Sequence, residues 1–322
     1  MVAKFIRHTL LILLLLIFFS NDHAHAAGKL VAAVLTGDTS RYRDAHRSFV
    51  KTLAQKGYDQ GNIDIVVQTP NPDPISWANA IRKFNALRAD IIVTYGAPAT
   101  IAALREAEDI PVVFVDVYGP VETGIARSNS LTGRNTTGVS SKVPLMTLLK
   151  SATEIKPITN LGVLYNSREI GSVVQLKEVK RLAAQMGFAV VEANVASTAA
   201  LDTALNSVIA TKVDFIFVTE SAMVSRGLEK IVHRASAVKV PIISLLPDSC
   251  EKGGLVSLEI NPSEQGQLAA EVAAKILSGK KAGQLPISTA KKVELIVNLR
   301  AAKALDLHVP FHVLNAATKI IK

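Results

Sequence analysis

Short runs of β-branched and apolar residues alternate along this chain with longer stretches whose apolar positions recur every three or four residues. LVAAVLT (30–36) reads as a strand, followed by a helix through Phe49, Leu53 and Ala54. IDIVVQT (63–69) is a second strand and Ile75 to Leu87 a second helix; DIIVTYG (90–96) and PVVFVDV (111–117) continue the series. Strands this uniformly apolar, spaced by helices, are the pattern of a parallel sheet covered on both faces. The alternation pauses at LTGRNTTGVSSKVP (131–144), a polar stretch rich in Gly, Ser and Thr. It restarts at NLGVLYN (160–166), followed by a helix with Val173, Leu176, Val179, Leu182, Ala183 and Met186 along one face. FAVVEANV (188–195), VDFIFVT (213–219), VPIISLL (240–246), GLVSLEI (254–260) and VELIVN (293–298) complete the strands. Two successive βα series joined by a crossing predict an α/β protein of two doubly wound parallel-sheet lobes.

Residues 1–26 stand outside that pattern. Lys4 and Arg7 precede an unbroken apolar run over 9–19, and the polar stretch after it closes with Ala24-His25-Ala26. Small residues at −3 and −1 are the mark of a secretory signal peptide, here cut after Ala26. The apolar run is shorter than the ~20 residues a membrane-spanning helix requires, and no cysteine lies near the cut to carry a lipid. The mature chain is therefore expected to be periplasmic, soluble and monomeric.

Removing that segment lowers the formal net charge from +9 to +8, with 34 basic and 26 acidic residues left. The excess is spread through helices, and 5% aromatic content supplies no stacking surface, so a nucleic-acid partner is not expected. Cys250 is the sole cysteine and rules out an intrachain disulfide, leaving stability to the core.

Ligands of open parallel sheets bind outside the carboxyl ends of the strands. Those ends carry Gly37-Asp38-Thr39-Ser40, Tyr95-Gly96-Ala97-Pro98, Asp116 with Tyr118, Asn166-Ser167 and Glu220-Ser221. Helix starts in such loops present free backbone N–H groups that favour carboxylates, while each of these residues can equally serve as a cap or turn. Catalytic signatures are missing: there is no G-x-S-x-G elbow, no G-x-x-x-x-G-K-[ST] and no G-x-G-x-x-G after the first strand. His308 and His312 are separated by Pro310 and form no metal pattern, and Cys250 lacks a nearby histidine. Asn135-Thr136-Thr137 is a glycosylation sequon only for a eukaryotic secretory pathway, and Trp77 falls on a helix as packing. Neither an enzyme, a cofactor nor a metal is expected.

Four segments carry a resemblance: VELIVNLRAAKALDLHVP (293–310), LGVLYNSREIGSVVQ (161–175), YGAPATIAAL (95–104) and DIPVVF (109–114). Together they resemble the ABC-transporter substrate-binding proteins whose best-known members capture aromatic amino acids such as tryptophan. The resemblance covers essentially the whole mature chain and implies a type 1 periplasmic binding fold, in which two lobes close about a hinge on a small ligand. It implies a first lobe of 27–138 plus 258–285 and a second of 139–257 plus 286–322. The partner it implies is the membrane permease of an ABC importer; a membrane-bound histidine kinase reading the closed form is the alternative.

The ligand-binding set expected from strand ends and resemblance comprises Asp38, Thr39, Tyr42, Tyr95, Gly96, Ala97, Tyr118 and Ser140 in the first half. In the second it comprises Asn166, Ser167, Gly171, Ser172, Glu220, Ser221 and Asp248. An acid group of the ligand is expected at the helix start near Asn166, Ser167 and Ser172, with Tyr42, Tyr95 and Tyr118 as walls and Glu220 for an amine. The chain departs from the family at Ala97 (a threonine elsewhere), at Gly171 (an asparagine), at Glu220-Ser221-Ala222 (Thr-Asp-Asn) and at Leu245-Leu246 (Ser-Asp).

Overall fold

The computed structural model describes residues 28–322, so the expected signal peptide and the cut before Ala27 lie outside the described residues. The first βα series is β1 (Lys29–Leu35), α1 (Ser40–Gln55), β2 (Ile63–Gln68), α2 (Pro74–Ala86), β3 (Ile91–Tyr95), α3 (Ala97–Glu106), β4 (Val112–Val117) and β5 (Thr136–Ser140). The second is α4 (Leu145–Ile155), β6 (Asn160–Tyr165), α5 (Ile170–Met186), β7 (Ala189–Asn194), α6 (Leu201–Ala210), β8 (Phe215–Val218), α7 (Ala222–Arg226), α8 (Leu228–Ala237), β9 (Ile242–Ser244) and β10 (Val256–Ile260). The chain finishes with α9 (Pro262–Leu277), β11 (Ser288–Thr289), β12 (Val293–Asn298), α10 (Leu299–Ala304), α11 (Phe311–Ala316) and β13 (Lys319–Ile321).

Two sheets result, ordered β11-β5-β4-β3-β1-β2 and β13-β12-β10-β9-β8-β6-β7. Every pairing is parallel except β10 with β12. Alternation along β1 shows why both faces must be covered. Val31, Ala33 and Leu35 pack with Tyr42 and Phe49 of α1 and Ala269 and Ala273 of α9. Ala32 and Val34 point the other way, onto Trp77 and Phe84 of α2 and Ala99 and Ala103 of α3. The second sheet repeats the plan, with Leu148, Val179 and Phe217 in one core and Leu205, Val218 and Ile231 in the other.

Local signals set the helix starts. Asp73 accepts the Ser76 N–H at 2.9 Å ahead of Pro74, and Asn261 accepts the Ser263 N–H at 2.8 Å ahead of Pro262. At Gly266 in α9 a Cβ would lie 1.9 Å from the Ala45 carbonyl oxygen, so the absence of a side chain lets α9 lie directly on α1. The late helix α9 is thereby fastened to the first sheet.

The chain changes sheet after Ser140, after Ile260, and between Thr289 and Val293. The expected lobe limits at 138/139, 257/258 and 285/286 each fall a few residues early. Val139 and Ser140 stay with the first sheet as the end of β5, Ser288 and Thr289 join it through β11, and Leu258 to Ile260 remain in the second through β10. Strand pairing, not loop composition, sets these points.

Candidate functional site

Between the two sheets lie two adjoining cavities that share Asp116 and Glu220 in their walls. The inner one is lined by Arg41, Tyr42, Ala97, Pro98, Asp116 and Tyr118 from the first half and Glu169, Gly171, Ser172 and Glu220 from the second. The other lies against the crossing segments and is walled by Ala45, Ser141, Val143, Leu245, Pro247, Leu258, Ile260, Pro262 and Gln265.

Arg41 sits where sequence reasoning placed no ligand contact. It is in the first turn of α1, one turn ahead of Ala45 and two ahead of Phe49, on the helix face that is buried. Its Nη2 donates to the Tyr42 hydroxyl at 2.8 Å, and its guanidinium carbon lies 4.6 Å from the Tyr42 ring centre. Nη1 stands 3.4 Å from Asp116 Oδ2 and 3.2 Å from Glu220 Oε1. Neither contact is aligned as a hydrogen bond, so Nη1 and Nε keep donors unspent within the protein. Burial works against the cation, but Asp116, Tyr42 and Glu220 outweigh it and hold Arg41 above the ordinary arginine value.

Asp116 reaches the cleft through a backbone irregularity. The β4–β5 register shifts between Phe114 and Val117, and Asp116 takes φ 57°, the left-handed region that aspartate tolerates better than most residues. Glu220 follows β8. Burial pushes its carboxyl up to about 8, Asp116 adds to that, and Arg41 and the Gln175 hydrogen bond pull it down. Gln175 holds it from two sides: its Nε2 donates to Glu220 Oε2 at 2.6 Å, and its Oε1 accepts the Glu220 N–H at 2.8 Å.

Helix starts supply donors. In α5 the first intrahelical bond is Val173 N–H to the Glu169 carbonyl, which leaves the N–H groups of Gly171 and Ser172 at the cavity wall without a helical partner. Ala97 opens α3 in the same manner after Gly96, whose φ is 90°. A Cβ at Gly96 would stand 2.4 Å from the Tyr42 hydroxyl, so glycine permits both the turn and the aromatic wall.

Of the expected residues, the structure gathers Tyr42, Ala97, Tyr118, Gly171, Ser172 and Glu220 around the inner cavity, with Gly96 shaping its wall. Tyr118 also clasps the second sheet's helices, donating to Glu178 on α5 at 2.8 Å. The others lie elsewhere. Tyr95 is fully buried in the first core, its hydroxyl 3.0 Å from His46 Nδ1. Ser140 ends β5 and accepts the Lys142 N–H. Asn166 spends its groups locally, on Ser172 Oγ, Glu169 and the Arg168 N–H. Ser167 is exposed, its backbone N–H donating to Asn194 Oδ1 at 3.0 Å, and Ser221 caps α7 while donating to Glu169 at 2.6 Å. Asp38 and Thr39 line an outer basin with Arg43, Arg226 and Lys252, Asp38 pairing with Arg43. Asp248 is exposed, its N–H donating to Glu259.

The backbone donors of Asn166 and Ser167 are thus engaged within the protein, whereas those of Gly171 and Ser172 have no helical partner. A second helix start is closed as well: Glu169 accepts the Ala222 and Met223 N–H groups of α7 at 2.8 and 3.1 Å. Arg41, Asp116 and Glu169 are the charged wall residues outside the expected ligand-binding set, Asp116 marking only a strand end in the sequence. Arg41 did carry a signal, a cation in register with the apolar stripe Ala45-Phe49. Cys250 is fully buried, and burial pushes its thiol up, away from the reactive thiolate.

Two parallel-dominated α/β sheets with a cleft between them have the type 1 periplasmic binding fold. The family model for ABC transporter substrate binding protein matches residues 27–321, and the chain belongs to that family. It is similar to a tyrosine-binding protein of Clostridioides difficile, 29% identical over 265 residues, covering 82% of this chain and 76% of the relative. A structure from Streptococcus pneumonia in complex with L-Trp superposes with a TM-score of 0.86 at 23% identity, covering 91% of this chain and 100% of that one. The ligand-free, open structure of a substrate-binding protein with adhesive properties from Clostridium difficile gives 0.68 at 28% identity, covering 91% and 99%.

Proposed function

We propose that this protein is an exported, monomeric receptor, not an enzyme, that captures a zwitterionic amino acid between two lobes and delivers it to the permease of an ABC importer. The lobes are the two sheets with their helices, hinged at the three crossings. The observation that carries the reading is the pair Asp116 and Glu220, one carboxylate from each sheet, meeting where the two cavities join. An ammonium group there would be shared across the cleft. Its carboxylate would face the Gly171 and Ser172 N–H groups and the unspent donors of Arg41, and its side chain would enter the apolar space walled by Val143, Leu245, Leu258 and Ile260. The tyrosine-binding relative supports an amino-acid ligand, and family membership supports the importer partner. Only a ligand that touches both lobes shifts the equilibrium toward the closed form, which the permease would read.

Calorimetric titration with the common amino acids tests this. The expected outcome is binding of a subset with apolar or aromatic side chains. Asp116→Asn and Glu220→Gln should each weaken it roughly 10- to 100-fold, the order expected for one charge-assisted hydrogen bond. Equal binding of the corresponding acids that lack an amine would refute the ammonium site.

A further inference from the structure

The cavity beside the crossings has walls of Val143, Leu245, Leu258 and Ile260, the carboxyl groups of Asp116 and Glu220, which it shares with the inner cavity, and two further polar residues. Ser141 and Gln265 both line it, at 4% and 1% exposure, and Ser141 Oγ and Gln265 Oε1 have no hydrogen-bond partner within the protein. Native structures rarely leave such atoms unpaired, because each unpaired buried group forfeits its hydration. The Gln265 amide is oriented by its other end: Nε2 donates to the Ser140 carbonyl at 3.2 Å, which turns Oε1, an acceptor only, to the cavity. Ser141 is fixed through its backbone, the N–H donating to the Val117 carbonyl at 3.0 Å, so its hydroxyl is free to turn.

From this geometry we infer that Ser141 and Gln265 determine specificity by recognising a hydroxyl at the far end of the ligand's side chain. The inference rests on the amino-acid reading of the site. A hydroxyl donates to Gln265 Oε1 and accepts from Ser141 Oγ, satisfying both atoms at once. A terminal carboxylate has no proton for Gln265, and a plain hydrocarbon ring satisfies neither atom. The apolar walls of the same cavity suit the body of a ring, which makes a hydroxylated aromatic side chain the matching class.

The test compares L-tyrosine with L-phenylalanine by calorimetry in the wild type, in Ser141→Ala and in Gln265→Met, with melting curves run alongside. The wild type is expected to bind L-tyrosine at least tenfold more tightly, the size of effect expected when a buried polar site meets a ligand lacking its partner. Both variants should shrink that ratio towards one, chiefly by losing affinity for L-tyrosine while keeping L-phenylalanine. Ser141→Ala removes an atom that bonds to nothing in the protein, so it keeps the test valid if Gln265→Met folds poorly. Equal wild-type affinities, or a preference that survives in Ser141→Ala, would overturn the inference while leaving the amino-acid reading intact. Failure of both amino acids to bind the wild type would overturn that reading and this inference with it.

Discussion

Glu220 holds its proton at a pH where an exposed glutamate has lost it, and this makes binding of a cation pH-dependent. Its carboxyl is raised to about 8, first by burial and then by Asp116. An arriving ammonium favours the ionised form, so below that pH binding must expel a proton. Affinity for an amino acid should therefore rise from pH 6 to pH 8 and then level off, and Glu220→Gln should flatten the profile; calorimetry at several pH values reads both. The same shift bears on stability with the opposite sign. A carboxyl raised in the folded state ionises first in the unfolded chain, so its contribution is full below its ordinary value of 4.5 and is lost as pH rises towards 8. Glu220→Gln should remove that loss and leave the unliganded protein at least as stable as wild type at pH 7. How far this site could be read from residues alone follows from local chemistry. Glycine and alanine at helix starts, and a glutamate after a strand, are visible as types in a pattern. Tyr95 looked equally suitable, but its position on β3 points it into the core against His46, where burial holds the imidazole down at about 4.

At the scale of elements, the long apolar strands declared themselves, while β5, β11 and β13 did not. Thr136-Thr137-Gly138-Val139-Ser140 reads as loop, yet all five residues of β5 are buried. The sheet tolerates them because the threonine hydroxyls find backbone partners, Thr136 Oγ1 donating to the Val112 carbonyl and Thr137 Oγ1 to the Leu285 carbonyl, both at 3.0 Å. Those partners come from β4 and from the far end of the chain, and no local pattern records them. The packing of α9 on α1 is equally non-local and turns on one residue. Gly266→Ala would drive a methyl into the Ala45 backbone, which cannot give way as a side chain does. It is expected to cost roughly 1–3 kcal/mol, the range for overpacking a close contact. Urea unfolding should show this as a lower midpoint with an unchanged slope, whereas Gly187→Ala, at an open helix end with φ 79°, tests backbone strain without a clash.

For the whole molecule, the two sheets are tied together by side chains that cross between them. The tryptophan-bound structure superposes better than the open, ligand-free one, 0.86 against 0.68, although the open one is the more similar in sequence. Arg41 stands between carboxylates of both sheets, and Tyr118 of the first half donates to Glu178 on α5 of the second. Neither bond replaces a ligand, since Arg41 keeps unspent donors and the second cavity keeps unpaired acceptors. The central claim, that an amino acid completes this interface, is tested most directly by a crystal structure of the protein grown with L-tyrosine. The ammonium is expected within hydrogen-bond distance of both Asp116 and Glu220, the carboxylate at the Gly171 and Ser172 N–H groups, and the ring between Val143 and Leu258. A ligand seated in the outer basin beside Arg43 and Arg226, or one whose ammonium touches neither carboxylate, would contradict it.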